Sequence, residues 1–377
     1  MQSYILKGAK IYCQNDFQYK DIVVENNVIK EVNSEIGSCK YNLPTIDLSS
    51  GDFVVPGFID IHIHGSQGAD VMDGDVDALD VISKSIYKHG VTSYLATTMT
   101  ATNEDILKSM QAVAKYTSNT HHQCAKIIGI HLEGPFISPG KIGAQNPNYL
   151  QGADVDKLAN WHSASNGLIK KITIAPEIAN ADKVIQYCNT QNIISSIGHT
   201  SCTMAQALNA IKNGCSHATH LFNAMTPIEH RNPGAANALL MSKKVLAELI
   251  VDGIHLHPDT VKFTHEIKGS GNIALVTDAM SAQGAGEGVF DLGGQKVIVK
   301  NGEARLENGV LAGSVLTMNK ALDNMIKFSG CSLHDAVKMT STNQAKSLGF
   351  KKGLIKVGYD AEFVVLDKDY QIKQVIS

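Results

Sequence analysis

The chain has 377 residues, too many for one ordinary small domain and suited to a barrel of roughly 250 residues beside a smaller module. Its formal net charge is −3 and only 18% of its residues are charged. There is no bulk basic field, which argues against nucleic acid or an acidic membrane as a partner.

The chain opens with MQSYILKGAKIYCQ, which lacks the long apolar core of a secretory signal. No stretch reaches the roughly 18 uninterrupted apolar residues of a membrane span. Cysteines stand at 13, 39, 124, 188, 202, 215 and 331, an odd number with no C-x-x-C among them. They are expected to be reduced thiols, packed as small apolar groups in a cytoplasmic protein.

Residues 4–12, 22–32 and 45–50 alternate apolar and polar positions, as short strands do, and Asn26-Asn27 reads as a hairpin turn. The C-terminal run KVGYDAEFVVLDKDYQIKQVIS has the same character. The two ends, 1–53 and 355–377, are expected to pair into one small β domain.

Between them, in 54–354, short apolar runs alternate with helix-like stretches. The runs are FIDIHIH (58–64), TSYLATT (92–98), IIGIHLEG (127–134), ITIAPE (172–177), IISSIGH (193–199), HATHLFN (217–223), LAELIVDG (246–253) and IALVTDAM (273–280). Helices are expected within 77–90, 103–116, 181–192, 203–214 and 260–269, several closed by Gly after Lys, His or Asn. Eight strand signals separated by helices predict a (β/α)8 barrel, with a doubly wound open sheet as the alternative. Residues 286–314 break the rhythm and read as a Gly-rich β-hairpin after the eighth strand.

The ends of these runs carry His62, His64, Glu133, His199, His220 and Asp278. Catalytic groups of a barrel gather at the C-terminal ends of its strands. Residues i and i+2 of a strand face the same way, so His62 and His64 can share one ligand. Imidazole with carboxylate suits zinc or iron. Each residue also has an ordinary reading: a strand-end His is commonly a hydrogen-bonded rim residue, and Asp278 could be a helix N-cap. Six such groups at one end of successive strands favour a metal centre, with Asp278 placed to move a proton. His131 and His217 lie on strands, and the remaining histidines read as surface or helix residues. The turn-rich HLFNAMTPIEHRNPG, 220–234, offers the backbone N–H groups of Asn223 and Ala224 and the fork of Arg231 to an anion. A lone loop Arg is otherwise a solvated side chain.

PGFIDIHIHG after a short β segment resembles the amidohydrolase superfamily. Together with HLEGPFISPGKIGAQNP, GHTSCTMAQAL, ATHLFNAMTP, DGIHLHP, LVTDAM and LAGSVLTMNKAL, it resembles the N-acetylglucosamine-6-phosphate deacetylase family over nearly the whole chain. The resemblance implies a (β/α)8 TIM barrel, a small β-sandwich built from both termini, and a homodimer. It implies hydrolysis of a small phosphorylated amino sugar, N-acetyl-D-glucosamine 6-phosphate, to D-glucosamine 6-phosphate and acetate in amino-sugar metabolism. By the same resemblance Glu133, His199 and His220 bind the main divalent metal, and Asp278 is the general base and then acid. Asn223, Ala224 and Arg231 meet the phosphate, which some relatives hold with help from the neighbouring subunit. Ala144, His255 and Leu311-Ala312-Gly313 line the sugar pocket. Some members lack the H-x-H pair and use one metal. Some carry a His where this chain has Gln145, and that His touches the substrate carbonyl. Here His62 and His64 are kept and Gln145 replaces that His, which fits a second metal polarising the carbonyl, with Glu133 bridging; one ion or two remains open. The rival readings are a dihydroorotase-like or deaminase-like enzyme, many of which bridge two metals with a carboxylated lysine, and a barrel scaffold without catalysis.

Overall fold

The computed structural model describes residues 2–14, 16–34, 41–119 and 123–377; Cys39, His121 and His122 lie outside the described residues. Eight strands form one parallel sheet in chain order: β1 Phe58–Ile63, β2 Val91–Thr98, β3 Lys126–Glu133, β4 Ile169–Ile174, β5 Ile194–Ile197, β6 His217–Ala218, β7 Leu246–Leu249 and β8 Ile273–Leu275. The ring closes just beyond β8, where the Asp278 N–H donates to His62 O at 2.8 Å and the His64 N–H to Ala279 O at 2.8 Å. This is the (β/α)8 barrel the eight apolar runs predict, not an open sheet. All eight residues of β2 are buried, as expected of a strand covered on both faces.

The expected helices form as α1 Val76–Tyr87, α2 Asn103–Thr117, α4 Ala181–Gln191, α5 Met204–Lys212 and α7 Pro258–Lys268; α3 Val155–Ala164, α6 Ala235–Met241 and α8 Met318–Ser329 complete the ring. These last three escape the sequence patterns. Helix α6 is short and buried on most sides, so it has no polar stripe to mark its period. Helix α8 follows the inserted segment, away from its strand.

The chain ends build two further sheets. One joins Val28–Asn33, Asp21–Glu25, Tyr4–Lys7 and Thr45–Asp47; the other joins Ile372–Ile376, Phe363–Leu366, Phe53–Pro56, Lys10–Tyr12 and Phe17–Tyr19. Leu6, Ile11, Ile22, Val24, Val54, Phe363 and Val365 form one buried cluster between them, making a small sandwich of both termini. Asn26 and Asn27 both take positive φ (54° and 63°), the two left-handed residues of a type I′ hairpin turn. The strand Phe53–Pro56 passes into β1 through Gly57, where a Cβ would lie 2.1 Å from Thr92 Oγ1. Only glycine leaves room there for the Thr92 side chain of β2.

The inserted segment makes three antiparallel strands, Gly288–Leu292, Gln295–Lys300 and Glu303–Leu306, where a two-stranded hairpin was expected. Its Leu292, Val297, Val299 and Leu306 pack on Met99, Met280 and Ala312 in a core of their own. It sits over the C-terminal mouth of the barrel. The cysteines of the described residues are all free thiols, buried except for the half-buried Cys13. No helix among the described residues is long and apolar enough to cross a membrane.

Candidate active site

Asp60 and His62 on β1 and His64 one residue beyond it alternate along the chain and share the inward face. Asp60 accepts hydrogen bonds from Thr277 Oγ1 at 2.5 Å and from the His62 N–H at 3.2 Å, tying the end of β8 to β1 directly under the site. Burial raises its carboxyl to about 6, against those hydrogen bonds. Glu133 ends β3. His199, His220 and Asp278 follow β5, β6 and β8, each with a left-handed backbone (φ 46°, 29° and 48°) that turns its side chain over the barrel mouth.

The six side chains converge as two buried triads. His62, His64 and Asp278 form one; Glu133, His199 and His220 form the other, with the ligand atoms of each within 4.8 Å of one another. Glu133 stands between them. Its Oε1 lies 3.3 Å from His62 Nε2 and 3.2 Å from both His199 Nε2 and His220 Nε2, and its Oε2 lies 3.2 Å from His64 Nε2. Asp278 Oδ1 lies 3.4 Å from His62 Nε2 and 3.2 Å from His64 Nε2.

Three of the four rings are held from behind, while His220 Nδ1 is buried without a hydrogen-bond partner. His64 Nδ1 donates to Thr97 O at 3.2 Å and His199 Nδ1 to Lys141 O at 3.0 Å. His62 Nδ1 meets the Glu248 carboxylate at 3.1 Å. Outer-shell bonds of this kind fix the tautomer that leaves Nε2 bare for a metal.

The charges are those of a site built for a cation. Burial disfavours charge on His62 and His64, but the carboxylates of Glu133 and Asp278 outweigh it, raising the rings to about 9 and 10. Burial likewise opposes ionisation of Asp278, and the facing His62 and His64 bring it down to about 2. Glu133 is held well below the usual carboxylate range, burial again being overcome by His62 and the other facing imidazoles. His62 Nε2 is buried without a hydrogen-bond partner, and His199 Nε2 and His220 Nε2 face each other at 3.1 Å. Bare nitrogens aimed at one point between two carboxylates fit divalent ions of the zinc or iron type.

The triads floor a cavity of about 360 Å³ under the inserted sheet. Of the residues expected around the sugar, Ala144, Gln145, Asn223, Ala224, His255, Leu311 and Gly313 line it. Ala312 is fully buried behind the lining, and Arg231 is exposed on its loop, outside the cavity. Gln145 is pinned: its Nε2 donates to Glu133 Oε2 at 2.8 Å, and its Oε1 accepts from the Thr100 N–H at 2.7 Å. His255 Nδ1 is held by Asp252 Oδ2 at 2.6 Å. His131 does not bond Glu133; its Nε2 meets Thr173 Oγ1 at 2.7 Å and its ring packs edge-on against His62. His217 meets Ser216 Oγ at 3.1 Å, away from the triads.

Five residues around this site went unnoticed in the sequence. Arg305, the one Lys or Arg lining the cavity among the described residues, bonds Glu303 at 2.7 Å and Gly309 O at 2.7 Å. Met99 lines it from just past β2. Asp60 and Glu248 are single charges within apolar strands and Lys171 follows Lys170 at the start of one; that was their signal, since a charge at a buried strand position needs a partner.

A model of the amidohydrolase family matches residues 53–377. The chain belongs to the amidohydrolase family. It is similar to the N-acetylglucosamine-6-phosphate deacetylase of Bacillus subtilis (strain 168), 38% identical over 98% of this chain and 95% of the relative. The enzyme of the same name from Lysinibacillus sphaericus is 41% identical over 87% of this chain and 85% of its own. Among solved structures, N-acetyl-D-glucosamine-6-phosphate deacetylase from Mycobacterium smegmatis superposes with a TM-score of 0.93 at 30% identity. The match covers 100% of this chain and 98% of that one, and that structure is an aspartate-to-alanine variant with N-acetyl-D-glucosamine 6-phosphate bound.

Proposed function

We propose that this chain is a metal-dependent deacetylase that hydrolyses N-acetyl-D-glucosamine 6-phosphate to D-glucosamine 6-phosphate and acetate. The observation that carries the reading is Glu133, shared by two buried triads on the floor of one cavity. The relatives supply the substrate class. His62, His64 and Asp278 would hold one divalent ion, and Glu133, His199 and His220 the other, with Glu133 bridging. Such ions polarise a bound carbonyl and lower the pKa of water.

The chain's own groups do the rest. Asp278 takes a proton as water attacks the acetamide carbon and returns it to the leaving amine, so that an amine and a carboxylate leave rather than an amide anion. His255, oriented by Asp252, faces the cavity where the carbonyl oxygen gathers charge. Gln145, pinned to Glu133, holds the bridging carboxylate in place. Asn223 and Ala224 meet the phosphate end, and Leu311 and Gly313 enclose the sugar. Arg231 is exposed in its own chain, and in a homodimer it would serve the phosphate of the neighbouring copy. Binding energy from the phosphate orients the distant amide.

A cyclic-amide hydrolase bridged by a carboxylated lysine fits less well. Lys171, on β4, is committed to Glu248 and Ile61 O beneath the triads, and Glu133 already stands in the bridging place.

The test is acetate release from N-acetylglucosamine 6-phosphate by purified, metal-analysed protein, with the unphosphorylated sugar and N-acetylgalactosamine 6-phosphate beside it. Turnover confined to the phosphorylated sugars is the expected result. No acetate from a metal-bearing protein would discard the deacetylase and turn the search to cyclic amides and deamination.

A further inference from the structure

We propose that the buried pair Lys171–Glu248 is a positioning pair for His62, fixing which ring nitrogen faces an ion in the His62–His64–Asp278 triad. The proposal rests on the two-ion reading above.

Lys171 on β4 and Glu248 on β7 point into the barrel beneath the site, and both are fully buried. Lys171 Nζ bonds Glu248 Oε1 and lies 3.4 Å from Ile61 O, one residue before His62. The other oxygen of Glu248 lies 3.1 Å from His62 Nδ1. An ionised carboxylate only accepts, so His62 must carry a proton on Nδ1. Nε2 is then the nitrogen left to an ion, and it is this atom that is buried without a hydrogen-bond partner, 3.3 Å from Glu133 and 3.4 Å from Asp278.

The support differs from ring to ring. His64 and His199 lean on backbone carbonyls. His62 leans on a full negative charge, which makes its Nε2 a stronger donor to a cation. Stability alone does not account for the pair, because a buried ion pair adds little over apolar residues of the same volume. Lys171 holds one oxygen of Glu248 and leaves the other facing one ring of one triad.

The experiment uses wild type, Glu248→Gln and the double variant Lys171→Met/Glu248→Gln. The double variant removes the unpaired buried lysine that could unfold the single one. Each protein is stripped with a chelator and titrated with cobalt(II) against a competing chelator, with ions counted by visible absorption and the fold checked by circular dichroism. Wild type is expected to take two ions. A folded variant is expected to keep one at wild-type affinity and to hold the second about 10- to 100-fold more weakly.

Two ions at wild-type affinity in a folded variant would overturn the proposal. So would equal weakening of both ions, since Glu248 Oε2 also receives the His220 N–H at 3.4 Å and the effect would then run through the other triad. A single ion in wild type would overturn the two-ion reading and this proposal with it.

Discussion

Asp278→Asn separates proton transfer from fold. The substitution keeps size and shape. Asn tolerates the left-handed backbone (φ 48°) that Asp278 adopts, and the backbone bonds to His62 O at 2.8 Å and from the Ser314 N–H at 2.8 Å survive. What changes is the side chain: an amide oxygen cannot take the water's proton at neutral pH. Proton transfer by a positioned group is worth about 10²- to 10⁴-fold, or roughly 2.7–5.4 kcal/mol of barrier at 1.36 kcal/mol per decade. Asp278 Oδ1 also faces His62 and His64 at 3.4 and 3.2 Å, so an ion of that triad loses one anionic donor. The assay is therefore the kcat for acetate release, read beside the ion content of the same preparation. We expect kcat to fall at least about 100-fold in protein that keeps the Glu133–His199–His220 ion and the wild-type melting profile. A kcat within about tenfold of wild type, with ion content unchanged, would refute the role of Asp278 as base and acid.

Arg231→Ala should raise KM for the phosphorylated sugar about 10- to 100-fold, as loss of one charge-assisted contact of about 1.5–3 kcal/mol does, and leave kcat nearly unchanged. Arg305→Ala should shift KM by less than about threefold, because its guanidinium is already committed to Glu303 and Gly309 O; a reversal of the two results would move phosphate recognition to Arg305. In ion-free protein the raised His62 and His64, at about 9 and 10, stabilise the fold fully below the ordinary imidazole value near 6.5 and lose that contribution as pH climbs through 9 and 10. The melting temperature of stripped protein should thus be lower at pH 10 than at pH 6.5, while ion affinity rises over the same interval as those protons leave; the opposite slope in melting would contradict the assignment. Lys268, buried at the end of α7, gives its ammonium to Leu239 O, Ser242 O and Val245 O at 3.0, 2.6 and 2.7 Å. Lys268→Met should cost about 2–4 kcal/mol in urea unfolding by leaving those carbonyls unpaired, and an unchanged midpoint would show that they find other donors.

The barrel was legible because its strands are buried on both faces and therefore read as apolar runs bounded by polar helices. Each of the eight runs became a strand. The functional groups of those runs were legible where a charge or imidazole ended an apolar stretch, as at His62, His64 and Glu133. Arg305 was hidden because the inserted sheet that carries it folds back over the mouth from a distance no local pattern encodes. Lys171 and Glu248 were hidden for a different reason. Neither has its partner in its own strand, and only closure of the barrel brings β4 opposite β7 and makes the pair. Arg231, conspicuous as the one Arg of a turn-rich loop, lies outside the cavity of its own chain, because its loop runs outward at 229–232 before α6 begins.

The residues of the two triads come in two structural kinds. His62 sits on β1 and His64 one residue beyond its end, so the period of two aims both at one point without a left-handed residue. His199, His220 and Asp278 lie just past their strands with φ of 46°, 29° and 48°, a conformation that costs a non-glycine residue about 1–3 kcal/mol. Alternation alone would let the chain leave each strand with its side chain over the rim. A left-handed residue at the exit swings it back over the mouth. That conformation persists because the backbone on either side is over-determined: Ser138 N–H holds His199 O at 2.9 Å, Asn223 N–H holds His220 O at 2.9 Å, and Asp278 itself is bonded across the closing seam. The exit at Asp278 therefore needs the completed ring, and the His62–His64–Asp278 triad assembles only where β8 closes on β1. An ion that binds the finished triads but not the open chain stabilises the closed barrel by its own binding free energy, so the site and the seam beneath it form together.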